Sequence, residues 1–380
     1  MQTYDICIIG GGASALMCAS LTKNRKIVIV ERDNKIGKKI LVTGNGRCNL
    51  TNTYIDKQKY NTNLVSKYFE KFSSKETIEY FNKLGLITYH DDEGRVYPVS
   101  NSANSVLDVL RLSILNKNID YKTNTTIKEL YYTGDGFDIL TLDEVFHAQK
   151  VVLALGGNPD LSFIKNIKLP VVNYKKSLGA LKTDKNKFLN NVRANVNVTL
   201  DTRFCQKGEI LFKEDGISGI VIFNLSSHLA RSGNYNAKIF VDFLPDYSKK
   251  ETKNLLIERR IKFSDYSASD YLTGIFHKAI NDNLLYRASI KDKKIGLITN
   301  AEIDTLTNYI KNYPITTYDI LDNNQVYSGG IPLKMLNDNM MFKSCPGLYA
   351  IGEIVDVDGE CGGYNLQWAW TSAFLCAEDL

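Results

Sequence analysis

Three glycines and one acid near the start of the chain have the types and spacing to hold a dinucleotide. Gly10, Gly11 and Gly12 follow an apolar run at residues 4–9, and Glu31 closes a second run at 26–30, twenty-one residues after Gly10. Gly10 permits a tight turn, and Gly12 places no side chain between the backbone and a pyrophosphate. Ala13 and Ser14 open the next helix, whose free N–H groups and partial positive charge favour phosphate. Ala15 stands where a third glycine is common, and Ala19 is also small, so the helix can lie close to the strand. Glu31, with Arg32 beside it, is placed to accept hydrogen bonds from ribose hydroxyls. The same carboxylate repels a 2′-phosphate, so NADP is disfavoured at this site.

Three more glycine segments lie far along the chain: residues 43–49, residues 154–157, and residues 352–353 with 359–365. A dehydrogenase with one NAD site leaves these without a task. A long ligand lying across the carboxyl ends of a sheet uses all of them, and FAD has that length.

The elements that must position these residues follow from pattern. Residues 62–84 and 103–116 read as helices. Residues 91–98 read as a turn and hairpin arm, and 119–130 with 136–147 as strands around Gly134 and Gly136. The run at 150–155 is a buried strand ending in glycines. Short strands and turns fill 177–246. Residues 247–313 read as helical, with capping boxes at Ser248/Glu251 and Thr299/Glu302. A strand at 347–352 and a helix from about Asn365 close the chain. The expected fold class is α/β. A Rossmann-like FAD-binding domain spans 1–176 and 326–380, a β-rich inserted domain 177–246 with 314–325, and a small helical domain 247–313.

Composition limits the function classes. At 380 residues with 44% hydrophobic and 23% charged content, the chain suits a soluble protein with a sizeable core. No apolar run approaches the roughly 20 residues that span a bilayer, and Asp5 interrupts the first run, so neither a membrane partner nor a signal peptide is expected. The net charge of +5 comes without a dense basic block, so no nucleic-acid partner is expected. Seven scattered cysteines and four dispersed histidines indicate neither a disulfide framework nor a metal site, which suits a reducing cytoplasm. Oligomeric state is not legible.

The segment GKKILVTGNGRCNLTN at 37–52 resembles the signature of an FAD-binding family that groups aminoacetone-oxidase-like proteins with flavoproteins tied to bile-acid dehydroxylation. GRVYP at 94–98, GEILF at 208–212 with GISG at 216–219, and residues 347–370 are similar to further blocks in the same order. The resemblance implies that Gly10, Gly12 and Glu31 bind ADP. It places Lys39, Gly44, Gly46, Arg47, Cys48 and Asn49 in the loop beside the flavin and its diphosphate, and Gly156 in a second flavin-fold motif. Gly352 and Glu353 would hold the ribityl or phosphate side, and Gly363, Tyr364, Asn365 and Gln367 the segment under the isoalloxazine ring. Residues 158–178 are shorter than the family's usual stretch and lack its Gly-His pair. Arg95, Tyr97, Tyr364 and Trp368 are pocket candidates that serve equally well as structure. Cys48 reads as a packed thiol, since no second cysteine follows within the next 150 residues.

The expected function is an FAD-dependent oxidoreductase passing a hydride between a small organic substrate and the flavin. No second nucleotide fingerprint is present, so NAD(P)H enters only as a transient donor. The alternatives are an NAD(P)H-dependent flavin reductase of an unsaturated substrate, and a non-catalytic flavin- or RNA-associated protein. No catalytic base is assigned.

Overall fold

The first strand sets the frame. In β1 (Gln2–Ile9) the residues from Ile6 to Ile9 are buried on both faces, as a central parallel strand requires. The computed structural model describes residues 1–290, 292–321 and 326–380, and it divides into two compact units, 1–175 with 326–380 and 176–325.

The first unit begins with β1, α1 (Ala13–Leu21), β2 (Ile27–Val30) and β3 (Thr51–Asn52). Next come α2 (Ser66–Phe69), α3 (Ser74–Lys83), the hairpin β4 (Thr88–His90) and β5 (Arg95–Pro98), and α4 (Ala103–Ile114). The chain continues through β6 (Ile119–Lys122), β7 (Glu129–Tyr132), β8 (Phe137–Leu140), β9 (Val145–Leu153) and β10 (Val172–Ser177). The expected helix at 62–84 is broken: Ser73 starts a new helix, α3, with its own capping box to Glu76.

The second unit holds β11 (Leu181–Thr183), β12 (Arg193–Leu200), β13 (Phe204–Lys213), β14 (Gly216–Ser218), α5 (Ile220–Ser232) and β15 (Ala237–Asp242). α6 (Lys249–Lys262), α7 (Lys278–Arg287), α8 (Asn300–Lys311) and β16 (Tyr313–Ile320) follow. The strands close into a barrel in the order β11-β14-β13-β12-β15-β16. Within 177–246, where short strands and turns are expected, residues 220–232 instead form the helix α5, which includes Val221, Ile222 and Phe223. Their β-branched and aromatic side chains favour strand locally. Tertiary packing overrides that preference by burying Val221, Leu225 and Leu229, four residues apart, on one helical face. Helices and barrel share one hydrophobic cluster, in which Leu256, Leu284 and Leu306 join Val196, Ile210 and Ile239. The segment 247–313 therefore does not build a core of its own. Of the expected 314–325 piece, residues 322–325 lie outside the described residues.

The chain returns to the first unit with β17 (Val326–Gly330), β18 (Leu348–Ala350) and α9 (Tyr364–Ala377). The main sheet runs β6-β2-β1-β9-β8-β7, with β18 added beside the second half of β9. Strands β6, β2, β1, β9 and β18 are parallel, so their carboxyl ends share one edge. Ligands of open α/β sheets bind at that edge. The core includes Ile6, Ile8, Val28, Val152, Leu348 and Trp370.

Candidate functional site

At the carboxyl end of β1 the turn is as tight as glycine allows. Gly10 has φ +101°, and a Cβ there would lie 2.4 Å from the Ala154 carbonyl oxygen at the end of β9. Gly12, by contrast, has ordinary backbone (φ −81°), and a Cβ added there would meet nothing within 4 Å. That open space adjoins the N-terminus of α1, which no side chain caps. Its first N–H groups therefore lack a side-chain cap, an arrangement that suits an anion. Glu31 lies at the same turn. Its Oε2 accepts from the Gly11 N–H (2.7 Å) and its Oε1 from the Asp33 N–H (2.9 Å). Arg32 is exposed beside it, Ala13 is half-buried, and Ser14 is buried against the end of β18.

Ser14 leads to the next piece of the site. A Cβ on Gly352 (φ +73°) would stand 2.6 Å from Ser14 Oγ, so β18 ends directly against the first turn of α1. Gly352 is held there by α9: its N–H donates to Ser372 Oγ (2.9 Å), and its carbonyl accepts from Trp368 Nε1 (3.2 Å). The next residue, Glu353, pairs with Lys39 (2.7 Å) and accepts from the Tyr327 N–H (3.0 Å). Gly156 faces both members of that pair, each 3.7 Å from where its Cβ would be.

The loop 37–49 forms short 3-10 turns, with Gly44 and Asn45 left-handed. Arg47 lies over the Tyr97 ring at 4.7 Å, and Gly46 is exposed next to it. Cys48 is fully buried, and burial pushes its thiol up to about 11. The Asn49 amide joins this loop to α9. In the orientation that satisfies both partners, it donates to the Thr51 carbonyl (3.0 Å) and accepts from the Gly363 N–H (3.0 Å). Gly363 (φ +96°) can only be glycine, because a Cβ would sit 2.4 Å from the Thr51 backbone.

Three of the expected site residues have other commitments. Gln367, expected under the ring, is fully buried, with its amide bonded to Thr51 Oγ1 (2.6 Å), Thr371 Oγ1 (2.9 Å) and the Phe72 carbonyl (3.4 Å). Asn365 closes its own loop, bonding Gly359 through both the N–H (3.0 Å) and the carbonyl (2.9 Å). Tyr364 is buried against Tyr60, and its hydroxyl accepts from the Asp56 N–H (3.3 Å). These contacts brace the start of α9. Trp368 is likewise buried. Sequence reasoning missed Ser372 and the Tyr327 N–H. Ser372 falls one helical turn after Trp368, a spacing that puts both on the Gly352 side of α9. A backbone N–H gives no signal in residue type.

The glycine stretches thus meet within one unit through a chain of contacts: Gly10 with Ala154, Ser14 with Gly352, Glu353 with Lys39 beside Gly156, and Asn49 with Gly363. An extended, anionic dinucleotide suits this set. Open space lies over Gly12, an uncapped helix start adjoins it, and the Glu31 carboxylate stands at the same turn.

The fold and this cradle define an α/β protein with a Rossmann-type FAD-binding domain. The chain belongs to the HI0933-like protein Rossmann domain family, whose model matches residues 4–379. It is 33% identical to a 3-dehydro-bile acid delta(4,6)-reductase of Clostridium scindens, over 97% of both chains. It is 27% identical to a ribosomal RNA dihydrouridine synthase of Escherichia coli, covering all of this chain and 98% of that one. Among solved structures, the 3-ketosteroid delta1-dehydrogenase of Sterolibacterium denitrificans shares the fold with a TM-score of 0.51 at 14% identity, over 100% of this chain and 99% of that one. No helix among the described residues is long and apolar enough to cross a membrane.

Proposed function

We propose that the protein is an FAD-dependent reductase of a ring C=C bond, with a nicotinamide nucleotide as transient electron donor. One observation carries this reading. Two relatives matched over nearly their whole length are named for unlike substrates, a 3-dehydro-bile acid and ribosomal RNA, yet both named reactions saturate a ring double bond. Of the two directions left open by the sequence, reduction is the one they share.

Bound and reduced, FAD supplies the hydride. The chain's own residues bind and orient. The N-terminus of α1 and the space over Gly12 take the diphosphate, and Glu31 takes the ribose hydroxyls. Gly363 lets α9 start directly against β3, so the positive end of its dipole favours negative charge developing nearby. Cys48 takes no part in electron relay, because its thiol is buried and held protonated.

The test is spectroscopic. Purified protein should retain a yellow cofactor that NADH or NADPH bleaches anaerobically, and a carbonyl-conjugated cyclic alkene should restore the colour. A bleached flavin that only oxygen restores would count against the reductase reading.

A second reading concerns the substrate's size, and charge favours it. By sequence, residues 176–325 hold 22 Lys and Arg against 17 Asp and Glu, whereas the rest of the chain holds 25 of each, so the whole +5 excess falls in the second unit. A uridine within RNA is then the alkene. Reoxidation by ribosomal RNA but not by a steroid enone selects this reading; the reverse result discards it.

A further inference from the structure

We propose that Lys39 is the counter-ion of Glu353, a positioning residue that neutralises a carboxylate built into the cofactor cradle so that a diphosphate can lie beside it. This rests on the FAD reading above. Glu353 is fixed in place. Its Oε1 accepts from the Tyr327 N–H (3.0 Å), and it packs so closely on Gly157 that a Cβ there would lie 2.6 Å from that oxygen. The preceding residue, Gly352, is clamped between Ser372, Trp368 and Ser14 of the first turn of α1. A negative charge therefore stands next to the uncapped helix start that draws an anion.

Burial, and then the Glu353 and Asp356 carboxylates, push the Tyr174 hydroxyl above its ordinary range. Lys39 is the one cation paired with Glu353 among the described residues, at 2.7 Å. Its side chain is 56% exposed and that of Glu353 20%. A pair so open to water adds little to folding, so stability does not account for it. Cancelling the charge at the edge of the anion site does.

The two roles for Lys39, counter-ion or direct phosphate ligand, separate in a double-mutant cycle. Apoprotein is titrated with FAD, following the quenching of flavin fluorescence, for the wild type, K39M, K39R, E353Q and K39M/E353Q, with thermal melts checking each fold. Leaving Glu353 unpaired should raise the FAD Kd of K39M about tenfold or more. K39R should stay within about threefold of wild type, and adding K39M to E353Q should change the FAD Kd by less than about threefold, whatever E353Q itself costs. A K39M substitution that weakens binding as much in the E353Q background as in the wild type, or an unaffected K39M, would overturn the proposal. Failure of the wild type to bind FAD at all would overturn the FAD reading as well, and so marks a different failure.

Discussion

At the scale of single residues, the cradle separates glycines that shape the backbone from the one that leaves room. Gly10 and Gly363 have positive φ, and each would drive a Cβ to 2.4 Å from backbone. G10A and G363A should each lower stability by more than about 2 kcal/mol, read from thermal melts. Gly12 has neither constraint. G12V should melt within about 0.5 kcal/mol of wild type yet lose FAD, because its side chain fills only the space over the helix start. A G12V protein that still purifies yellow would move the diphosphate elsewhere. The placements of Gly10, Gly12 and Glu31 at one turn were legible because they depend on residues within twenty-one positions of one another. Those of Gln367 and Asn365 were not. Amides serve equally as ligands or braces, and only the fold supplies the partners at Thr51 and Gly359.

At the scale of elements, helix starts carried the clearest signals. The boxes expected at Ser248/Glu251 and Thr299/Glu302 are both formed, with hydroxyl and carboxylate each reaching back to backbone N–H. Ser248→Ala or Thr299→Ala should cost about 1 kcal/mol. These bonds hold the Glu302 and Glu251 carboxyls below their ordinary range, Glu302 first through Lys293 and Glu251 first through Ser248. A depressed carboxyl stabilises the fold above its unfolded pKa, roughly 4.3, and that contribution is lost as pH falls through the folded value. The melting difference between wild type and E302Q should therefore shrink from pH 6 to pH 3; a constant gap would contradict the assignment. Gln367→Leu strips three hydrogen bonds from between β3, the turn at Phe72 that precedes α3, and α9, and should cost about 1–3 kcal/mol without altering flavin chemistry. α5 shows where local pattern misleads. Its Val, Ile and Phe run favours strand by itself, and only burial on a helical face overrules that preference.

At the scale of the whole molecule, charge is divided between the units although both draw on the same residue types. If the second unit meets RNA, retention of the protein on ribosomal RNA should fall steeply between 50 and 200 mM salt, as phosphate contacts release counterions. Flavin retention, set in the neutral first unit, should change much less over that range. Equal salt sensitivity of both would remove the basis for assigning the excess charge to a polyanion.

By itself the sequence determined the strand, turn, helix, strand and acid at the start of the chain, the capping boxes, and the resemblance carried by residues 37–52. These follow from sterics and hydrogen bonds between near neighbours. The tertiary structure alone decided that Lys39 meets Glu353 across 314 residues, that Asn49 reaches Gly363, and that the helices of 247–313 share a core with the barrel. Such pairings depend on the order in which strands line up in a sheet and on which faces are left to bury, and a local pattern of residues does not encode either.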